Sequence, residues 1–309
     1  MRFAFKVIRE SIWNLTGNAI RIPLEIIIVL IFTQNLGIKE YGYSIGAILI
    51  VDSLSTFSNL SIDKYIINSK KITTEKLSVA FSLTIISSII GIIAINYIPI
   101  ILIYFDKYLT LIPFLNMLSI GYFPSSMKIF FNSYYSRIFA NDIITKSVIF
   151  SELFSFSIII FILKTDFSRY TPIIYLVFKN WLSFIFLFIN YRNPIKISLN
   201  KNSVREIITF GIKFSLNKII LFLNSASSKI YCSLLFGPYF LGLLNIIKKI
   251  TDIQFLILRP FQNSLIFPLI SKLNRDYPEK FSESFIKLKF LHIIFILPIY
   301  SFVYAFKDF

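Results

Sequence analysis

Twelve ionisable side chains lie inside long apolar runs of this 309-residue sequence. They are the bases Arg21, Lys179, Lys213, Lys218, Lys229, Lys248, Lys249 and Arg259 and the acids Glu25, Asp52, Glu152 and Asp252. A charge at the centre of a membrane-spanning helix costs about 2.5–3.5 kcal/mol on insertion scales. A set of this size therefore requires a hydrated cavity or pairing between helices. Bases outnumber acids by four, so pairing alone leaves positive charge over, and a cationic cavity suits an anionic substrate. Arg21, Lys179, Lys218, Lys229, Lys248 and Lys249 are the candidates for that binding. Glu25, Asp52, Glu152 and Asp252 are candidates for a coupling proton or cation, or for partners of buried lysines.

Each charge also has a plainer reading. Lys179, Lys213 and Arg259 lie near enough to predicted helix ends to snorkel to the interface. Arg21 and Glu25 are spaced as an i,i+4 pair, as are Lys248 and Asp252. Lys248 and Lys249 point about 100° apart, so both cannot face one cavity squarely. Lys218 and Lys229 are deep in one run and are the hardest to explain structurally. No P-loop, HExxH, GxSxG or CxxC pattern is present, so no catalytic role is expected. His292 and Cys232 each stand alone in their type, which leaves no basis for a metal cluster, an intramolecular disulfide or a cofactor.

The elements that carry these charges are apolar helices. The chain is 56% hydrophobic with a mean hydropathy of +0.72, above the ~45–50% apolar content of soluble domains. Continuous runs such as residues 85–95, 158–163 and 293–303 predict an all-α, polytopic membrane helical bundle. Nine spans are predicted: residues 12–35, 41–60, 76–97 (closed by Pro99), 108–131, 144–163, 170–191, 206–236, 239–265 and 285–306. A kink is expected near Pro23. The polar stretch 192–205 divides a six-helix lobe, residues 1–197, from a partial second lobe, residues 198–309. The segment 271–283 is expected to be a charged loop.

Charge placement fixes the expected orientation. With the N-terminus cytoplasmic, nineteen Lys and Arg fall in inside segments, five in outside segments and eight within helices. That is the bias of a multi-pass cytoplasmic-membrane protein. It also accounts for the net charge of +16 without nucleic acid, because the bases lie between apolar runs rather than along one face. The first helix is expected to act as an uncleaved insertion signal.

Two stretches repeat at an offset of two hundred residues. Gly37, Gly42 and Asp52 of LGIKEYGYSIGAILIVDSLSTFSNLSIDKYII match Gly237, Gly242 and Asp252 of the segment beginning FGPYFLGLLNIIKKITD. Each copy has an apolar run, a turn with paired glycines, and a second run with one acid. An internal repeat of this kind points to a transporter built from two halves.

Residues 31–63 (IFTQNLGIKEYGYSIGAILIVDSLSTFSNLSID), residues 210–242 (with FGIKFSLNKII and LLFGPYFLG) and residues 260–272 (PFQNSLIFPLISK) together resemble the Wzx-type polysaccharide flippases of the multidrug/oligosaccharidyl-lipid/polysaccharide exporter superfamily. The resemblance covers essentially the whole chain. It implies flipping of undecaprenyl-pyrophosphate-linked oligosaccharide repeat units across the bacterial cytoplasmic membrane, for O-antigen or capsule. It also implies the lipid bilayer, a polysaccharide polymerase and chain-length machinery as surroundings and partners. Such proteins have two six-helix lobes, so six helices followed by three imply C-terminal truncation. Where the family often has an Asp, eight or nine residues before the glycine matching Gly237, this chain has Ser228 and Lys229. Three other readings are a cation-coupled small-molecule exporter of the same superfamily, a membrane-embedded biosynthetic enzyme, and an inactive flippase remnant. The first predicts acids dominating the cavity. The second requires a large outside loop, and none here exceeds about a dozen residues.

Overall fold

The apolar runs fold as helices that turn small polar residues inward and large apolar ones outward. The computed structural model describes residues 2–103, 106–251, 266–276 and scattered positions between 279 and 301. Its helices are α1 (Arg2–Leu36), α2 (Ile38–Ser58), α3 (Ile62–Asn68), α4 (Thr74–Leu102), α5 (Ile112–Arg137), α6 (Asn141–Ile162), α7 (Thr171–Ile189), α8 (Lys201–Leu235), α9 (Pro238–Thr251) and α10 (Phe267–Asp276), and no strand occurs among the described residues. Ser78, Ser82, Ser88, Ser126, Ser147 and Ser151 are buried, whereas Ile90, Ile93, Leu153, Phe161 and Phe188 are more than 45% exposed. Such an inside-out distribution belongs to a bundle whose surface is lipid, where small residues let helices approach and apolar side chains need no burial. The protein is an all-α membrane helical bundle.

Four described helices are long and apolar enough to cross a membrane, or five if the bent pair α2 and α3 is one span. Helices α5 and α8 are as long but do not meet that measure. Both carry polar residues along their length, and both line the cavities described below. Residues 252–265 of the predicted eighth span, with Asp252 and Arg259, lie outside the described residues, and the predicted ninth span is described only at scattered helical positions between 285 and 301.

Three predicted boundaries are corrected. Pro99 does not close its helix: α4 continues to Leu102, and the Ile103 N–H still reaches the Pro99 carbonyl at 3.0 Å. Proline so near a helix end removes one ladder bond and no more. The second predicted helix stops at Ser58 rather than residue 60. Leu60 and Ser61 then take positive φ, 20° and 45°, and α3 leaves at 50° to α2. Arg137 holds α3 in place by donating to the carbonyls of Ile66, Ile67 and Ser69 at 2.6, 3.0 and 2.9 Å, a cationic cap on a short helix. The expected loop 271–283 begins inside α10, whose first four residues, 267–270, are apolar and whose last residues, 274–276, are polar.

The repeat has a structural counterpart. Gly37 and Gly237 have φ of 79° and 81°, and each accepts from the residue four positions on, Tyr41 or Leu241, at 3.2 Å. Beyond these turns α2 and α9 cross backbone to backbone. A Cβ on Gly42 would fall 1.8 Å from the Pro238 carbonyl oxygen, and one on Gly242 would fall 2.4 Å from the Ile38 carbonyl oxygen. Each glycine faces the other copy's helix start, so the two copies pack on each other with approximate two-fold symmetry.

At the opposite end, the α3 end, α8 meets the break between α2 and α3. A Cβ on Gly211 would fall 2.0 Å from the Leu60 carbonyl oxygen. Ser61 and Ser215 are hydrogen-bonded at 3.1 Å. Glu206 accepts from Tyr65 at 2.9 Å and pairs with Lys76 at 2.7 Å.

Candidate functional site

Midway between those two contact regions lies a cluster of buried charges. Glu25 of α1 is 8% exposed and faces three bases from three helices: Arg21 at 2.8 Å, Lys249 of α9 at 2.7 Å and Lys179 of α7 at 3.7 Å. Lys179 also pairs with Glu152 of α6, which is fully buried and accepts a hydrogen bond from the Tyr175 hydroxyl. Lys128 of α5 donates to Asn180 at 2.6 Å. The helices bring these residues together because each places its charge about two to four turns from its end at the glycine turns.

Against this cluster opens a cavity of about 310 Å3, at the lower end of the ~300–1,000 Å3 usual for ligand pockets. Lys179, Lys229, Lys249, Glu25 and Asp52 supply its charged lining, and Phe32, Tyr41 and Tyr175 its rings. Lys229 donates to Asn245 at 2.8 Å, and Asn245 donates to the Tyr41 hydroxyl at 2.8 Å, linking α8, α9 and α2. Asp52 is exposed to the cavity and forms no ion pair among the described residues.

The sequence-derived candidates therefore separate. Lys179, Lys229, Lys249, Glu25 and Asp52 share the cavity, with Arg21 and Glu152 directly behind it. Lys179 does not snorkel; it bridges two acids. Lys248 points away and donates to the Ser225 carbonyl and the Ser228 hydroxyl, as its 100° separation from Lys249 requires. Lys218 lines a different cavity at the α3 end. Asp252 lies outside the described residues.

Three residues escaped the sequence reading. Lys128 was expected in an inside segment, yet it sits within α5, within electrostatic reach of Arg21, Glu152 and Lys179. Tyr175 carries no sequence signal beyond its place one turn before Lys179. Asn245 was not marked by the repeat either, since the position matching it in the first copy is Ile45.

The arrangement offers excess basic charge in a polar, ring-lined space between apolar helices. It can hold an anion against basic side chains from three helices. When empty, the acids keep the bases paired, which avoids the cost of an isolated buried charge.

Residues 33–309 match the model of a protein family described as polysaccharide biosynthesis protein. No curated protein and no solved structure matches the chain. The family match begins within α1 and takes in every other helix of the bundle. This chain belongs to the polysaccharide biosynthesis protein family.

Proposed function

We propose that this protein carries lipid-linked oligosaccharide repeat units across the bacterial cytoplasmic membrane, with the diphosphate bound at Lys179, Lys229 and Lys249. The observation that carries this reading is the convergence of bases from α7, α8 and α9 on one cavity inside a member of a polysaccharide biosynthesis family. The diphosphate would compete with Glu25 for Lys249 and Lys179. Exchange of one anion for another costs less than exposing unpaired bases. Tyr41 and Tyr175 would offer ring faces to sugar. Asp52, which lines the cavity and forms no ion pair among the described residues, is the proposed site of a coupling proton or cation. The role proposed for these side chains is binding and transport, and no covalent step is assigned to them.

In this reading the two copies of the repeat belong to two lobes, residues 1–197 and 198–309. The α3 end, rich in Lys and Arg, faces the cytoplasm together with the N-terminus. The α2–α9 crossing closes the outer side, and the contacts of Glu206, Ser215 and Gly211 close the inner side. Opening them in turn would expose the cavity to each leaflet.

The test is made in cells lacking the gene. The pool of lipid-linked repeat units and the amount of finished surface glycan are measured together. Accumulated complete repeat units with loss of surface glycan are expected. Normal surface glycan with no accumulated intermediate would overturn the reading.

A further inference from the structure

The cavity at the α3 end is a separate space of about 450 Å3, formed by α3, α5 and α8. Its lining combines two kinds of group. Lys64 and Lys218 bring positive charge. The Lys64 ammonium lies 4.4 Å from the centroid of the Phe267 ring, while Lys218 forms no hydrogen bond or ion pair among the described residues. Asp63 and Asn132 bring acceptors, and Oδ1 of each is buried without a hydrogen-bond partner. Buried polar atoms are nearly always bonded, so each such orphan calls for a donor.

These two features restrict the ligand. An inorganic phosphate would suit the lysines, but its one or two hydroxyl donors sit on the same small anion that the lysines would hold, whereas a sugar ring spreads several donors along its edge for Asp63 and Asn132. A neutral sugar would suit the acceptors and leave Lys218 unmatched. One molecule serves both when an anionic phosphate and donor hydroxyls are joined.

We propose that this cavity is a second binding site, for a glycosyl phosphate, with Lys64 and Lys218 facing the phosphate and Asp63 and Asn132 accepting from sugar hydroxyls. The site shares no lining residue with the central cavity. It rests on the transport reading only for its place in a sequence of events: a headgroup would meet it before the central lysines. The headgroup of a lipid-linked saccharide and a soluble sugar phosphate present the same chemistry here.

Protection from thiol labelling tests it on the full chain in lipid nanodiscs. Cys232 is replaced by Ser, and a single reporter is added as Asn217→Cys in this cavity or Leu49→Cys in the central one. The probes are glucose 1-phosphate, inorganic phosphate, glucose, and a short prenyl pyrophosphate carrying one sugar. At tenfold above its Kd a ligand slows labelling of an occupied site about tenfold. Glucose 1-phosphate is expected to do so at Asn217→Cys, while phosphate and glucose at the same concentration do not. Lys218→Gln, at a partly buried position that lines the cavity, should abolish the protection; Asn132→Leu should weaken it. Equal protection by inorganic phosphate, or full protection in Lys218→Gln, overturns the proposal. Protection at Leu49→Cys alone also overturns it and leaves the transport reading standing, whereas protection at neither removes both. Tighter protection by the prenyl-linked probe supports the site with a lipid source, and equal protection supports it with a soluble one.

Discussion

Gly42 and Gly242 bring α2 and α9 so close that neither can accept a methyl group without moving the partner's backbone. Gly46, one turn further along α2, differs: its Cβ would meet only the Leu111 and Leu241 side chains, both at the ordinary distance of 3.6 Å. The contrast within one helix makes a controlled experiment. Gly42→Ala should cost about 1–3 kcal/mol of overpacking strain, and Gly46→Ala should be close to neutral. Thermal unfolding of the purified protein in detergent would distinguish the two. A Gly42→Ala protein as stable as Gly46→Ala would mean that this crossing bears no closing load.

The equivalence of these glycines was legible in advance, while their contact was not. The repeat matched Gly37 with Gly237 and Gly42 with Gly242, and the structure gives each pair the same role. Arg21 with Glu25 was legible from spacing, and so was the divergence of Lys248 from Lys249. Lys128 was not, because a lysine near a predicted helix end resembles an inside-loop charge until the helix proves to continue to Arg137. Lys64 was hidden by the same logic. Nothing local announces that Leu60 and Ser61 break the helix, since neither is glycine or proline; α8 packing against the freed Leu60 carbonyl supports the bend. Helix α10 escaped because its apolar run, residues 267–270, gives way to the polar Ser271 and Lys272 after one turn, which reads as the start of a loop.

Glu25 is the acid on which three bases depend. Glu25→Gln keeps the shape and removes the charge, leaving Arg21 and Lys249 to bury positive charge without their nearest counter-ion. Breaking a buried pair in this way costs about 3–5 kcal/mol. The double variant Glu25→Gln with Lys249→Met should recover part of that loss, because it removes one of the stranded charges. A double-mutant cycle by thermal unfolding measures the coupling, and strictly additive losses would show that the 2.7 Å pair contributes nothing of its own.

Lys248 and Lys249 are neighbours in sequence with opposite surroundings. Lys249 faces the central cavity and Lys248 does not. If the cavity binds diphosphate, Lys249→Gln and Lys229→Gln should each weaken substrate binding by about tenfold or more, as a charged hydrogen bond is worth about 1.5–3 kcal/mol. Lys248→Gln should remain within about twofold, the ordinary range for a surface change. Surface glycan in complemented cells, normalised to the amount of inserted protein, reads the difference. Equal effects at 248 and 249 would place the binding elsewhere.

Glu206 ties the start of α8 to Tyr65 of α3 and Lys76 of α4, so it joins helices on both sides of the polar stretch 192–205. The hydroxyl contact between Ser61 and Ser215 is the only other side-chain hydrogen bond described between α3's approach and α8, and it is uncharged. Glu206→Gln weakens the ion pair while keeping an acceptor for Tyr65. The α3 end should then open more often, since exposed ion pairs contribute about 0–1 kcal/mol and shift an equilibrium by only a few-fold. A cysteine at Leu49 in the central cavity, with Cys232 replaced by Ser, reports this directly. Membrane-impermeant thiol reagent applied from the α3 side of sealed vesicles should label it a few-fold faster in Glu206→Gln, and reagent from the glycine-turn side should not. Faster labelling from both sides would indicate a loosened bundle, and no change from either would leave Glu206 as a surface pair without a part in closing this end.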